Sequence, residues 1–209
     1  MEVHILSSVR AGYEELGVDE YYRIHSKDYS NPHYREIEYL LKEYIKSHDI
    51  GENILDLCCG SGEVTKILNI IGKYRIEGLD PYTAYSYVKN TNNDCYIYNF
   101  KDIVKGALEN KKYDTIICSF AMHLCEESML NGLLYQLSRI SNKLVILTPH
   151  KRPEINSWWR EIYREKILSK ARKGEKITIE ALPVNDGGCF FILIQHNRNY
   201  VVRHFNNDI

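Results

Sequence analysis

The chain has 209 residues, 44% of them hydrophobic and 26% charged, with a formal net charge of −1. That usage fits one folded α/β domain and excludes a disordered or fibrous chain. No apolar run reaches the length of a membrane span and no basic stretch with an apolar segment opens the sequence, so a soluble, cytoplasmic protein is expected.

Six cysteines are present, at 58, 59, 95, 118, 125 and 189, and none forms a C-x-x-C pair. Neither a zinc framework nor a disulfide scaffold is indicated, and the thiols read as small core residues. Charge is uneven: residues 151–176 hold nine Lys/Arg against four acids. Such a segment is either a solvated face or a grip for an anionic partner.

In chain order, residues 1–33 read as a cap segment rich in tyrosine. "YREIEYLLKEYIK" (34–46) then places Ile37, Leu40, Leu41, Tyr44 and Ile45 at helical spacing, with Asn31 as the expected N-cap and Pro32 as the first helical residue. From there strands and helices alternate. "NILDLCC" (53–59), "YRIEGLD" (74–80), "CYIYNF" (95–100), "YDTIICSF" (113–120) and "NKLVILTP" (142–149) read as five buried strands, each of the first four followed by a helical stretch. This order predicts a doubly wound, Rossmann-like sheet, mostly parallel, with helices on both faces. Beyond it a basic helix is expected over residues 155–172, carrying Ile155, Trp158, Trp159 and Ile162 toward the sheet. "KITIEAL", "CFFILIQH" and "NYVVRHF" follow as strands with no helix between them, so they are expected to pair antiparallel. The whole chain, 1–209, reads as a single domain: cap 1–33, core 34–150, basic helix and C-terminal strands 151–209.

An open α/β sheet binds ligands at the carboxyl ends of its strands. "DLCCGSG" lies there, and Gly60 and Gly62 let the backbone approach a ligand while exposing amide N–H groups near a helix start. Asp80 ends the second strand, where a carboxylate can accept from ribose hydroxyls. The third glycine of a dinucleotide fingerprint is missing, with Glu63-Val64-Thr65 in its place, and no G-K-[ST] follows. An adenosine ligand without phosphates fits best, namely S-adenosylmethionine.

"LDLCCGSG" resembles motif I of the class I S-adenosylmethionine-dependent methyltransferases, Cys58 standing where the usual pattern has its first glycine; this variant is similar to that of quinone-biosynthesis methyltransferases. "YYRIHSKDYSNPHY", "SFAMHLCEESML" and "LTPHKRPEI" also look like a group of eukaryotic methyltransferase-like proteins. The resemblance implies that Asp56 lies near the cofactor's amino group and that Leu57, Cys58, Gly60 and Gly62 line its methionine half. It further implies that Asp80 holds the ribose, Pro81, Tyr82, Asn99 and Phe100 border the adenine, and Ser119 and Phe120 approach the sulfonium and the acceptor.

Methyl transfer is an in-line displacement that needs alignment and water exclusion, and a base only if the acceptor must first lose a proton. His150 and His123, after the fifth and fourth strands, and Tyr22 in the cap are the candidate catalytic residues; no metal is expected. A small-molecule acceptor is the leading expectation. An RNA or protein acceptor gripped by residues 151–176, and a non-catalytic partner protein with the same fold, are the alternatives.

Overall fold

In a computed structural model of the chain, residues 16–25, 31–148, 153–155, 159–169, 178–180, 193–194 and 200–207 are described. A short helix α1 (Val18–His25) precedes α2 (Tyr34–Ser47). Then come β1 (Asn53–Leu57), α3 (Glu63–Ile71), β2 (Arg75–Leu79), α4 (Ala84–Thr91), β3 (Cys95–Tyr96), α5 (Phe100–Val104), β4 (Thr115–Ser119), a 3₁₀ turn (Met122–Leu124), α6 (Glu127–Ile140) and β5 (Lys143–Thr148). The described C-terminal part adds β6 (Trp159–Ser169), β7 (Thr178–Glu180), β8 (Leu193–Ile194) and β9 (Tyr200–Asn207).

These strands form one sheet in the order β3-β2-β1-β4-β5-β9-β6-β7, with β8 also on β6. Strands β1 to β5 are mutually parallel, β9 is antiparallel to β5, and β6 is antiparallel to β9. The strand order reverses between β1 and β4, the crevice where such sheets bind ligands. The fold is the expected Rossmann-like doubly wound sheet with an antiparallel C-terminal end.

Strand pleating sorts the core to two faces. Leu55, Leu57, Ile116, Cys118, Leu144 and Ile146 turn to the side covered by α5 and α6, where Ile103, Leu130, Leu133, Leu134 and Leu137 meet them. Ile54, Ile117, Val145 and Leu147 turn to the other side, against Ile37, Leu40, Leu41 and Tyr44 of α2 and Val64, Ile67 and Leu68 of α3.

Several expectations need correction. Helix α2 begins at Tyr34 with His33 at its N-cap, and Asn31 instead accepts the His33 N–H on Oδ1 at 2.9 Å. Strand β3 has two residues, because Asn99 leaves the sheet edge to cap α5, exchanging hydrogen bonds with Asp102 (both 3.0 Å).

The largest correction concerns the basic helix: residues 159–169 are a strand. Beyond β5, the far edge of β9 needs a partner, and Trp159 to Ile167 supply it over Asn207 to Tyr200. The register slips between Glu161 and Tyr163, and one extra residue in a strand resets its alternation. The two-residue alternation by which a strand is read from sequence is therefore broken at Ile162, one of the residues on which the helix is expected. Trp159 is buried all the same, its Nε1 donating to the Leu134 carbonyl at 3.0 Å. Antiparallel pairing holds for β5–β9, β9–β6 and β6–β7 but not for β8, which runs parallel to the end of β6.

Candidate functional site

The loop after β1 is held open by backbone shape. Cys58, Gly60 and Gly62 have φ of 57°, 55° and 94°, all in the left-handed region. Glycine reaches that region freely and cysteine at a cost, so Cys58 carries the strain that the family's usual glycine avoids. Phe120, after β4, is also left-handed at 58°. The two strained side-chain-bearing residues thus flank the reversal point of the sheet, and both face a cavity of about 710 Å³.

Ten of the residues singled out from the sequence line that cavity: Tyr22, Cys58, Gly60, Asp80, Pro81, Tyr82, Asn99, Phe100, Ser119 and Phe120. Asp80 is 8% exposed and forms the floor beside the loop. Its Oδ1 accepts the Tyr82 and Thr83 N–H groups, both at 2.9 Å, while among the described residues Oδ2 accepts the Gly60 N–H alone, at 3.3 Å. Burial pushes its carboxyl above the ordinary carboxylate range, against those hydrogen bonds. Tyr22 of α1 stacks on Tyr82, rings 5.3 Å apart and 8° from parallel, and so roofs the Asp80 side of the cavity.

Four expected residues are elsewhere. Asp56 lies on the face of β1 that points under α3, is 1% exposed, and is bound on Oδ2 by the Thr65 N–H (3.2 Å) and hydroxyl (2.7 Å). Its Oδ1 has no partner, and burial lifts its carboxyl to about 8. Leu57 is in the core on the α6 side. Gly62 packs against α4, where a Cβ would run into Thr91 Cγ2. Gly62→Ala should therefore cost about 2 kcal/mol in a urea melt, from left-handed strain plus that collision; an unchanged midpoint would remove the argument. His123 sits on the 3₁₀ turn and leaves the cavity wall to Leu124. His150 lies outside the described residues.

Glu63, Asn31 and Glu126, to which the sequence assigns no place in the site, are also on the wall. In the sequence Glu63 marks only the missing third glycine, although a carboxylate directly after a glycine turn is an available signal. The wall carries Glu20, Glu63, Asp80 and Glu126 against one cation, Lys101, among the described residues. The two loop cysteines are not primed as thiolates: hydrogen bonding to Cys118 and burial raise the Cys58 thiol, and burial and a contact with Cys95 (Sγ–Sγ 3.6 Å) raise that of Cys59. No cluster of three His, Cys, Asp or Glu side chains suited to a metal occurs among the described residues. Nor, among them, is any helix long and apolar enough to cross a membrane.

Sheet order, strained loop and strand-end carboxylate together place this cavity at the ligand crevice of a Rossmann-like sheet. The sequence pattern of the family described as "Methyltransferase domain" matches residues 29–182. An uncharacterised protein of Schizosaccharomyces pombe, C17A5.05c, is 32% identical over 197 residues, covering 73% of this chain and 78% of that protein. The chain belongs to the methyltransferase-domain family, the S-adenosylmethionine-dependent class I enzymes that its motif resembles.

Two solved structures share the fold. The N-methyltransferase NodS of Bradyrhizobium japonicum WM9, in complex with S-adenosyl-L-homocysteine, is similar with a TM-score of 0.59 at 14% identity, over 96% of this chain and 98% of that one. The magnesium protoporphyrin IX methyltransferase of Synechocystis PCC 6803, with bound S-adenosylmethionine, gives 0.56 at 12% identity, over 99% of this chain and 100% of that one.

Proposed function

We propose that the protein transfers a methyl group from S-adenosylmethionine to a small-molecule acceptor, without a metal. The observation that carries this reading is Asp80: a buried carboxylate at the end of β2, on the cavity wall, with one oxygen engaged by a single long hydrogen bond. A carboxylate has about four acceptor positions, so Oδ2 keeps room for a ribose hydroxyl. The donor set also fits the group. Four carboxylates against one lysine would repel a dinucleotide's phosphates and suit a ligand bearing a sulfonium and an ammonium.

The cofactor supplies an electrophilic methyl group. The chain's own residues do the rest. Asp80 and the Gly60 loop fix the sugar, Pro81 and Tyr82 border the base, and Tyr22 covers it. Phe120 and Ser119, at the end of β4, border the space where the acceptor approaches, and Ala121, Leu124 and Met129 give that space an apolar wall. The contribution of such a site is alignment and exclusion of water. A roofed cavity of about 710 Å³ is in the range for small ligands, which supports a small acceptor over a macromolecule.

Calorimetric titration with S-adenosylhomocysteine tests this reading, and saturable binding is expected. Tyr22→Ala should weaken it about threefold to tenfold, the scale of one lost aromatic contact. Absence of heat with the wild type would overturn the assignment.

A further inference from the structure

We propose that Glu63, and not the motif aspartate Asp56, is the carboxylate that receives the cationic amino end of the cofactor's amino acid tail. This rests on the S-adenosylmethionine reading above. Pleating of β1 turns Asp56 under α3, where Thr65 holds it, away from the cavity wall. Glu63 is the first residue of α3; it is 4% exposed, and it is on that wall.

Its bonding leaves one place open. Oε1 accepts the Ser61 hydroxyl at 2.6 Å and the Asn31 N–H at 3.0 Å, whereas among the described residues Oε2 accepts the Ser61 N–H alone, at 3.1 Å. With about four acceptor positions on a carboxylate, Oε2 retains one. The location matches as well. Consecutive amides of the loop point to the two carboxylates, Gly60 N–H to Asp80 and Ser61 N–H to Glu63. A ligand whose sugar rests on Asp80 and whose tail follows the loop therefore arrives at Glu63. The other wall carboxylates, Glu20 on α1 and Glu126 before α6, belong to the roof and to the acceptor side.

The experiment compares two nucleosides by calorimetry with the full chain: S-adenosylhomocysteine, which carries the ammonium, and 5′-methylthioadenosine, which lacks the amino acid tail. Glu63→Gln should lower affinity for the first about tenfold or more, the worth of a charge-assisted hydrogen bond, and change the second by less than about twofold. Equal losses for both would make Glu63 a structural prop and overturn the proposal; no loss for either would overturn it too. Wild-type protein that binds neither nucleoside would overturn the cofactor reading itself. If Glu63→Gln lacks a cooperative melt, wild type is titrated with deaminated S-adenosylhomocysteine. Affinity equal to that of the parent compound would then overturn the proposal, and a loss of about tenfold or more would support it.

Discussion

Replacing Asp56 by Asn should flatten the pH dependence of stability. Burial raises the Asp56 carboxyl from its ordinary value of 3.8 to about 8 in the folded chain. The folded state then keeps a proton that the unfolded state gives up. Stability from this group is complete below about pH 4 and is lost as pH climbs through about 8. Each tenfold change in proton affinity is worth about 1.4 kcal/mol, so the wild type should lose on the order of 6 kcal/mol across that window. Asn keeps an acceptor for the Thr65 N–H and hydroxyl and has no charge to bury. Urea melts at pH 5, 6.5 and 8 should show the variant overtaking the wild type as pH rises. Asp80, also raised by burial, leaves a residual slope of the same sign. Parallel curves for the two proteins would show that Asp56 is ionised throughout.

The second large effect concerns Asp80, whose two oxygens serve different ends. Oδ1 organises the turn into α4 through Tyr82 and Thr83, and Oδ2 faces the cavity beside Gly60. Asp80→Asn retains an acceptor for the turn and removes the carboxylate, and should weaken S-adenosylhomocysteine about tenfold to hundredfold with little change in melting. Asp80→Ala should lose the same affinity and, in addition, about 1–2 kcal/mol of stability, because the amides of Gly60, Tyr82 and Thr83 lose their acceptor. Full affinity in Asp80→Asn would contradict sugar recognition by this side chain.

The sheet was legible because its strands are buried on both sides and read as apolar runs separated by periodic helices. The site was legible where function requires particular backbone: the glycines after β1 and the acid after β2 mark positions that few residues can occupy. Legibility ended where tertiary pairing decides. Residues 159–169 lose a strand's alternation where the register slips between Glu161 and Tyr163, and nothing local indicates that the far edge of β9 needs covering. The direction of the Asp56 side chain depends on strand parity relative to α3, which motif position does not encode. Glu63 was visible as a charge, but its place between Ser61 and Asn31 depends on a segment 32 residues earlier returning to the loop.

Strand β9 lies between β5 and β6 although it follows both in the sequence. During synthesis, β5 must wait with an open edge until residues 200–207 leave the ribosome, and the edge of β6 opposite β7 waits open with it. Exposed edges of this kind invite pairing with other chains. A premature stop ahead of Tyr200 would thus leave one edge of β5 and one edge of β6 open at once, and its expected outcome is aggregation of the whole product, not a shortened, folded protein.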